Sequence, residues 1–366
     1  MTIQYTKDIT ENSLWCNIKV LFYWKGSLIK SIYVELIAWC LIYATISIVA
    51  RLVLNEDQQL IFDKVVFVCL NYTSFIPITF MLGFYVTFVL SRWVTICENL
   101  AFVDTFSIYI CEYISGEDLR SKFIRRSILR YMATAQVLVY RDISKKAREM
   151  FPSVDSMIEK GFITDEEYQK LMLTSTKTIA PWWIPVKWAI NLLVSANKEG
   201  RLNNGFFGLQ DCLSVIMTNR NMLQTLLTYD WFPVPLCYTQ IVALTVRTYF
   251  LIGCVGRQYF ISDEYTEKAS KYIDLYVPFL SMLQFIFYIG WLKVGEALVN
   301  PLGSDDDNAP VNFVLTRNLT AGLNIIDGGL EFRTGIVRKN LIDENKGKHS
   351  IHKESTIIEE PIQSSL

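Results

Sequence analysis

Histidine is nearly missing from this chain. The only two, His349 and His352, lie in a polar C-terminal stretch. The body of the chain therefore cannot run Ser–His or Cys–His nucleophilic chemistry or build a histidine-ligated metal centre. No glycine-rich phosphate loop and no nucleophile elbow is present. The eight cysteines (Cys16, Cys40, Cys69, Cys97, Cys111, Cys212, Cys237 and Cys254) include no Cys-x-x-Cys pair. Cys40, Cys69, Cys237 and Cys254 sit in apolar runs and read as buried reduced thiols. Neighbouring carboxylates at Asp165-Glu166-Glu167 and Asp263-Glu264 fall at expected helix starts or in loops, where a solvated turn explains them. Together these absences argue against an enzyme. Charge is scarce as well: 19% of residues are charged, against about 25% in soluble domains. The net charge of −1 gives no pull toward nucleic acid, and no DNA- or RNA-binding motif is present. The N-terminus lacks the h-region of a signal peptide, so the first membrane helix is expected to direct insertion.

What is present is apolar. The chain is 51% hydrophobic and 14% aromatic, with mean hydropathy +0.26. That points to an integral membrane protein with a substantial soluble part, and the helix-length segments below make the expected fold class all-α. A bilayer crossing needs about 20 apolar residues. Four segments meet that length, near residues 31–50, 65–90, 231–255 and 273–292. The second has no charged side chain from Val65 to Leu90. Within it Ile76, Phe80 and Phe84 repeat at i, i+4 and i+8, which predicts three large side chains on one helix face. A packing stripe and a functional face both fit that spacing.

Three spans carry an ionisable residue: Glu35, Arg247 and Asp274. Glu35 and Asp274 lie close to span ends, where snorkelling or capping accounts for them. Arg247 lies deeper, and its position calls for an ion pair or an aqueous environment. The Lys/Arg bias of residues 1–30, with Lys7, Lys19, Lys25 and Lys30, against the acidic link 51–64, predicts both termini and residues 91–230 on the cytosolic side. Asn71-Tyr72-Thr73 and Asn318-Leu319-Thr320 match the glycosylation pattern but fall at the membrane and inside, so neither is expected to be used.

The segment 91–230 reads as helical. A capped start at Ser115-Gly116-Glu117-Asp118 leads into a helix bearing Arg120, Lys122, Arg125, Arg126 and Arg130. Those cations read either as a solvated face or as a cytosolic anion vestibule. Thr164-Asp165-Glu166-Glu167 is a capping box. Trp182 and Trp183 precede an apolar helix ending near Gly200 and suit either a membrane–water interface or a protein core. A further helix is expected over Leu209–Leu227. Beyond Asn340 the composition is polar and predicts disorder. After the fourth span comes Asn300-Pro301-Leu302-Gly303-Ser304-Asp305-Asp306-Asp307-Asn308. This is either a solvated acidic loop or a site for Ca²⁺, a hard cation that takes six to eight oxygen ligands. It is not an EF-hand, because the bidentate Glu and its spacing are missing.

These features converge. Tyr23-Trp24-Lys25-Gly26-Ser27, Glu56-Asp57-Gln58-Gln59-Leu60 and Ile76-Pro77-Ile78 resemble the bestrophin family of anion channels. So do Gly83-Phe84-Tyr85-Val86-Thr87, Arg92-Trp93, Glu98-Asn99-Leu100, Tyr229-Asp230-Trp231 and Tyr238-Thr239-Gln240. Val255-Gly256-Arg257-Gln258, Gly290-Trp291-Leu292-Lys293-Val294 and Asn300-Pro301 complete the match, which covers the chain from Met1 to beyond Asn308.

The resemblance implies a homopentamer around a central pore, with four membrane helices per subunit and a cytosolic helical region. It implies a hydrophobic neck of Ile76, Phe80 and Phe84 and a cytosolic aperture at Phe206 or Phe207. It implies a Ca²⁺ clasp in which Asp305 supplies a carboxylate and Thr10, Ala297 and Asn300 supply backbone oxygens. The clasp's last carboxylate is here Asn308, which keeps an oxygen and removes a charge. The family's Trp-Trp after Arg92 is Trp93-Val94, and its Leu-Pro-Trp is Leu100-Ala101-Phe102. The function expected is a Ca²⁺-activated channel for chloride and similar monovalent anions, in the plasma membrane. Aromatic ring edges carry partial positive charge and favour anions, and an apolar neck closes by dewetting. A non-conducting membrane scaffold or regulator of other transport proteins is the competing expectation.

Overall fold

The computed structural model describes residues 22–24, 26–153, 155–174, 181–261, 277–303 and 311–333. Among them the secondary structure is helical: α1 (Leu28–Leu52), α2 (Glu56–Phe75), α3 (Ile78–Glu98), α4 (Asp104–Tyr113), α5 (Leu119–Ile143), α6 (Lys145–Met150), α7 (Asp155–Glu159), α8 (Asp165–Thr174), α9 (Trp183–Lys198), α10 (Gly205–Trp231), α11 (Leu236–Gly256), α12 (Phe279–Leu298) and α13 (Val311–Arg333). An isolated antiparallel bridge joins Ile114 to Leu202.

Two expected spans are corrected at proline. The uncharged run 65–90 is not one helix. The chain leaves α2 at Ile76, which is extended (φ −81°, ψ 112°), and α3 begins at Ile78. Pro77 has no N–H, and its ring disfavours the helical region for the residue before it. The span expected over 231–255 starts late for the same reason. Helix α10 runs on to Trp231, Pro233 and Pro235 follow, and α11 opens at Leu236. The last span runs from Phe279 to Leu298 rather than over 273–292; Asp274 lies outside the described residues. Among those residues, α1, α3 and α11 are long and apolar enough to cross a membrane. Helix α12 has 20 residues and carries Lys293 and Glu296 in its last two turns.

The chain divides into two compact units. The first comprises residues 1–102, 133–184 and 218–316; the second comprises 103–132, 185–217 and 317–366.

In the first unit α11 packs on α2, α1 and α3, and α12 packs on α1 and α3. The core between them is aromatic. Trp39 stacks on Tyr43 at 5.6 Å and lies 5.5 Å from the Phe285 ring, and Phe250 meets Phe285 at 4.9 Å. The Trp39 indole N–H donates to the Phe250 carbonyl at 3.0 Å, so the polar edge of a buried ring is satisfied. The end of α11 is tied to α1 as well. The Tyr43 hydroxyl donates to the Arg257 carbonyl at 2.9 Å, and the Gln258 amide donates to the Tyr43 carbonyl at 3.1 Å. Gly256 lets α11 approach the α2 backbone. A Cβ there would stand 2.8 Å from the Leu70 nitrogen and 2.9 Å from the Cys69 carbonyl carbon.

The turn after α3 is held by α5. Gln136 donates to the Leu100 and Ala101 carbonyls, both at 3.1 Å, and the Tyr140 hydroxyl donates to Leu100 at 2.8 Å. Ala101 takes a left-handed backbone (φ 53°) in that turn. The capping box is observed. The Thr164 N–H donates to Glu167 at 3.0 Å, and the Glu167 N–H donates back to the Thr164 hydroxyl at 3.3 Å. Trp182 takes the core alternative: it is buried, with the Arg220 guanidinium 5.1 Å from its ring centroid.

In the second unit the basic start of α5 is mostly engaged. Arg125 is fully buried and donates to the Ile114 and Gly116 carbonyls at 2.8 and 3.0 Å. Arg120 pairs with Glu199 at 2.8 Å and Arg126 with Asp327 at 2.9 Å. A uniformly solvated face is therefore corrected. Cys40, Cys69, Cys97, Cys212, Cys237 and Cys254 are thiols; of the four expected to be buried, Cys254 is, Cys40 and Cys69 are half-buried, and Cys237 is exposed. The polar tail beyond Asn340 lies outside the described residues.

Candidate functional site

Helix α3 has two faces. Ile78, Leu82, Tyr85, Val86 and Val89 are buried in the core of the first unit. Phe80 and Phe84 point away from it, 65% and 60% exposed, with ring centroids 4.6 Å apart. They are four residues apart on a continuous helix, so their rings lie along one side, tilted 56° to each other.

Ile76 does not share that face. It precedes Pro77 in an extended conformation and is half-buried against the core. Phe88 does share it: it is the next residue at i+4, is exposed, and makes an edge contact with Tyr238 at 5.8 Å. Its signal was the same four-residue spacing, carried one turn further. A groove of about 500 Å³ borders the stripe and includes Leu28, Thr79, Gly83, Tyr288, Gly290 and Trp291.

The ionisable residues of the spans meet. Lys293 lies 2.8 Å from Glu35 and 3.0 Å from Glu296, and Arg247 lies 3.7 Å from Glu35 and 3.5 Å from Glu296. Arg247 is thus ion-paired. Glu35 is neither a cap nor a snorkelling group, because it joins α1 to α12 and α11. Lys293 and Glu296 were not singled out from the sequence; nothing local marks them as the partners. Two cations and two anions balance within the group, which lowers the cost of holding charge in a low-dielectric region.

At the end of α3, Arg92 donates to the Phe232 carbonyl at 3.1 Å and to the Tyr229 carbonyl, and its guanidinium stands 4.6 Å from the Tyr229 ring centroid.

Phe206 and Phe207 open α10 in the second unit. Both are exposed, with centroids 6.0 Å apart. The preceding segment is pinned by side chains. Glu199 accepts from Arg120, from Arg201 at 3.0 Å and from Ser195 at 3.2 Å. The Arg120 hydrogen bond is the largest influence holding the Glu199 carboxyl down at about 2. Arg201 reaches Asp118 at 2.7 Å.

Of the expected clasp residues, Ala297 and Asn300 are described; Thr10, Asp305 and Asn308 lie outside the described residues. Ala297 is the penultimate residue of α12 and is exposed. Its carbonyl has no i+4 N–H to accept, because that position is Pro301. The exposed Asn300 carbonyl accepts from the Gly303 N–H at 3.2 Å, which leaves it a second lone pair. Both oxygens suit a hard cation. Among the described residues no group of three or more His, Cys, Asp or Glu side chains is placed to hold a metal ion.

A family model described as "Bestrophin, RFP-TM, chloride channel" matches residues 1–328. Bestrophin homolog 24 of Caenorhabditis elegans is 36% identical over all of this chain and 57% of its own length. Human Bestrophin-1 is 37% identical over 89% of this chain and 55% of its own length. The chain thus spans little more than half of either relative. Among solved structures, two point variants of a bacterial bestrophin homolog from Klebsiella pneumoniae superpose with TM-scores of 0.60 and 0.59. They are 17% and 16% identical, cover 80% and 81% of this chain and are themselves covered over 98% and 99%. Their likeness shows an all-helical fold shared with bestrophins. With a family model spanning nearly all of the described residues and relatives at more than a third identity, the chain belongs to the bestrophin family of membrane proteins.

Proposed function

We propose that this chain is the pore-forming subunit of an anion channel conducting chloride and similar monovalent anions. The observation that carries the reading is the exposed Phe80–Phe84 stripe on a helix whose opposite face is fully buried. Ringed about an axis, such a stripe presents aromatic edges, which carry partial positive charge, in a constriction narrow and apolar enough to close by dewetting. Weakly hydrated anions lose least on entering it. Ile76, on the extended segment before α3, lines the same neck from its end, and Phe206 and Phe207 line a separate aperture.

The stripe needs companions, because one subunit cannot enclose a pore. The bordering groove supports packing of a second copy, and a homopentamer is the assembly proposed. Ca²⁺ is the activator in this reading: the Ala297 and Asn300 carbonyls, with oxygens of Thr10, Asp305 and Asn308, would hold it, and it would supply the positive charge those oxygen ligands favour. Both termini and residues 91–230 face the cytosol, and the channel sits in the plasma membrane. A cysteine placed at Asn55 should react with an impermeant thiol reagent from outside and one at Ser153 should not; the opposite labelling overturns that orientation.

The deciding experiment is current from the purified full chain in planar bilayers under asymmetric chloride. A reversal potential near that of chloride supports the reading. A well-assembled protein with no current at any Ca²⁺ concentration overturns it in favour of a non-conducting scaffold.

A further inference from the structure

Helix α10 carries more than phenylalanine at its start. Asp211 follows Phe207 by four residues, so the two share one helix face, about 6 Å apart along the axis. The Asp211 carboxylate is exposed and has the wrong sign for an anion path. It is also held. The Tyr113 hydroxyl donates to its Oδ2 at 2.6 Å, and that bond leads the causes pushing the Tyr113 phenol up to about 12.

Tyr113 can reach Asp211 because Gly208 lies between them. A Cβ at 208 would stand 2.8 Å from the Tyr113 ring and 2.2 Å from the Asn203 carbonyl oxygen. The backbone around Tyr113 is fixed in turn. Its carbonyl accepts from the Asn203 N–H at 2.8 Å, and the Asn203 side chain donates to the Glu112 carbonyl at 3.0 Å. The strand-like bridge of Ile114 with Leu202 continues the contact.

We propose that Asp211 is a selectivity-determining residue of the Phe206–Phe207 aperture and that Tyr113 is its positioning residue, tethering the carboxylate to α4 and away from the passing anion. This rests on the reading of Phe206 and Phe207 as a constriction. Loss of the hydroxyl frees the carboxylate to move toward the anion path and repel its occupant. Loss of the charge removes the repulsion and leaves Tyr113 with nothing to restrain.

The test uses the full chain in planar bilayers. At about 0.05 M chloride, Asp211→Asn should raise the conductance about two- to threefold and Tyr113→Phe should lower it by a similar factor. Both differences should shrink in about 1 M salt, where screening acts over about 3 Å. In the Asp211→Asn background, Tyr113→Phe should have no further effect. Persistence of the Tyr113→Phe effect in that background, or insensitivity of both effects to salt, would make the pair structural and overturn the proposal. Phe206→Ala and Phe207→Ala test the underlying reading separately. If they change the iodide-to-chloride permeability ratio while Asp211→Asn leaves conductance unchanged, the selectivity proposal fails alone. If neither phenylalanine variant changes the ratio, the constriction reading fails and the proposal with it.

Discussion

Lys293 on α12 stands 2.8 Å from Glu35 on α1 and shares the carboxylates of Glu35 and Glu296 with Arg247 on α11. Hydrogen bonds also join these helices, from Trp39 to the Phe250 carbonyl and from Gln284 to the Tyr249 hydroxyl, but apolar packing covers most of the contact and tolerates sliding. The charge group adds fixed donors and acceptors on all three, so these four residues help set the register of α1, α11 and α12.

That register makes a prediction. Lys293→Met leaves two carboxylates and one cation, and Glu35→Gln leaves two cations and one carboxylate. Fully buried pairs lose about 3–5 kcal/mol when one partner is removed. These side chains are 23–41% exposed in the subunit, so about 1–3 kcal/mol is expected after discounting for solvent. Thermal unfolding in detergent measures it. The exchanged pair, Glu35→Lys with Lys293→Glu, should recover most of the loss. No recovery would assign the effect to packing of the aliphatic stems.

The proposed neck makes a second prediction, and it separates the exposed Phe80 and Phe84 from the buried Tyr85 on the same helix. Phe80→Ala with Phe84→Ala should widen and wet the constriction, giving current with weakened Ca²⁺ dependence. Because both rings are exposed in the subunit, neither truncation should open a core cavity, and assembly should survive. Tyr85→Ala, by contrast, removes a fully buried ring and should cost about 3–5 kcal/mol. Assembled Phe80→Ala/Phe84→Ala protein with unaltered gating would remove the stripe from the pore.

Ca²⁺ sensitivity is the third. Asp305→Ala removes the charged ligand of the proposed clasp and should shift activation to higher free Ca²⁺. Asn308→Asp adds one and should shift it lower, since ligand charge tunes affinity. A ligand opens the channel only by binding the open state more tightly. Current against free Ca²⁺ for both variants and the parent reads this. Three coincident curves would make the acidic run a solvated loop.

Acid stability of the second unit is the fourth. Glu199 is held at about 2 against an ordinary 4.5, chiefly by Arg120. A carboxylate depressed in the folded state contributes stability that is fully present above the unfolded value. That contribution is lost as pH falls through the folded one. Unfolding followed from about pH 5 to pH 2 should therefore show a decline that Glu199→Gln flattens. The parent and the variant declining in parallel over that window would mean that Arg120 and Arg201 do not hold the charge.

The prolines show what was legible. Pro77 disfavours a helical Ile76, a local signal that the uncharged run on either side outweighs when 65–90 is read as one span. The expected stripe counted Ile76 on a helix it cannot join, while the four-residue spacing to Phe88 was present in the same run. The Thr164–Glu167 box closes within one turn and forms as read.

The amino-acid sequence by itself determined a helical membrane protein, its family, the prolines at 77, 233 and 235 that disfavour helix, and the absence of histidine chemistry from its body. Each rests on composition or on sterics and hydrogen bonds among residues a few positions apart. Only the tertiary structure decided that Glu35 meets Lys293, that Arg125 is buried under the Ile114 and Gly116 carbonyls rather than solvated, and that Tyr113 reaches Asp211 across Gly208. Glu35 and Lys293, and Tyr113 and Asp211, lie on helices far apart in the chain, while Arg125 folds back onto carbonyls of the loop before its own helix. Which charged or hydroxyl groups touch depends on helix rotation and register, which the whole apolar packing sets and no local pattern encodes.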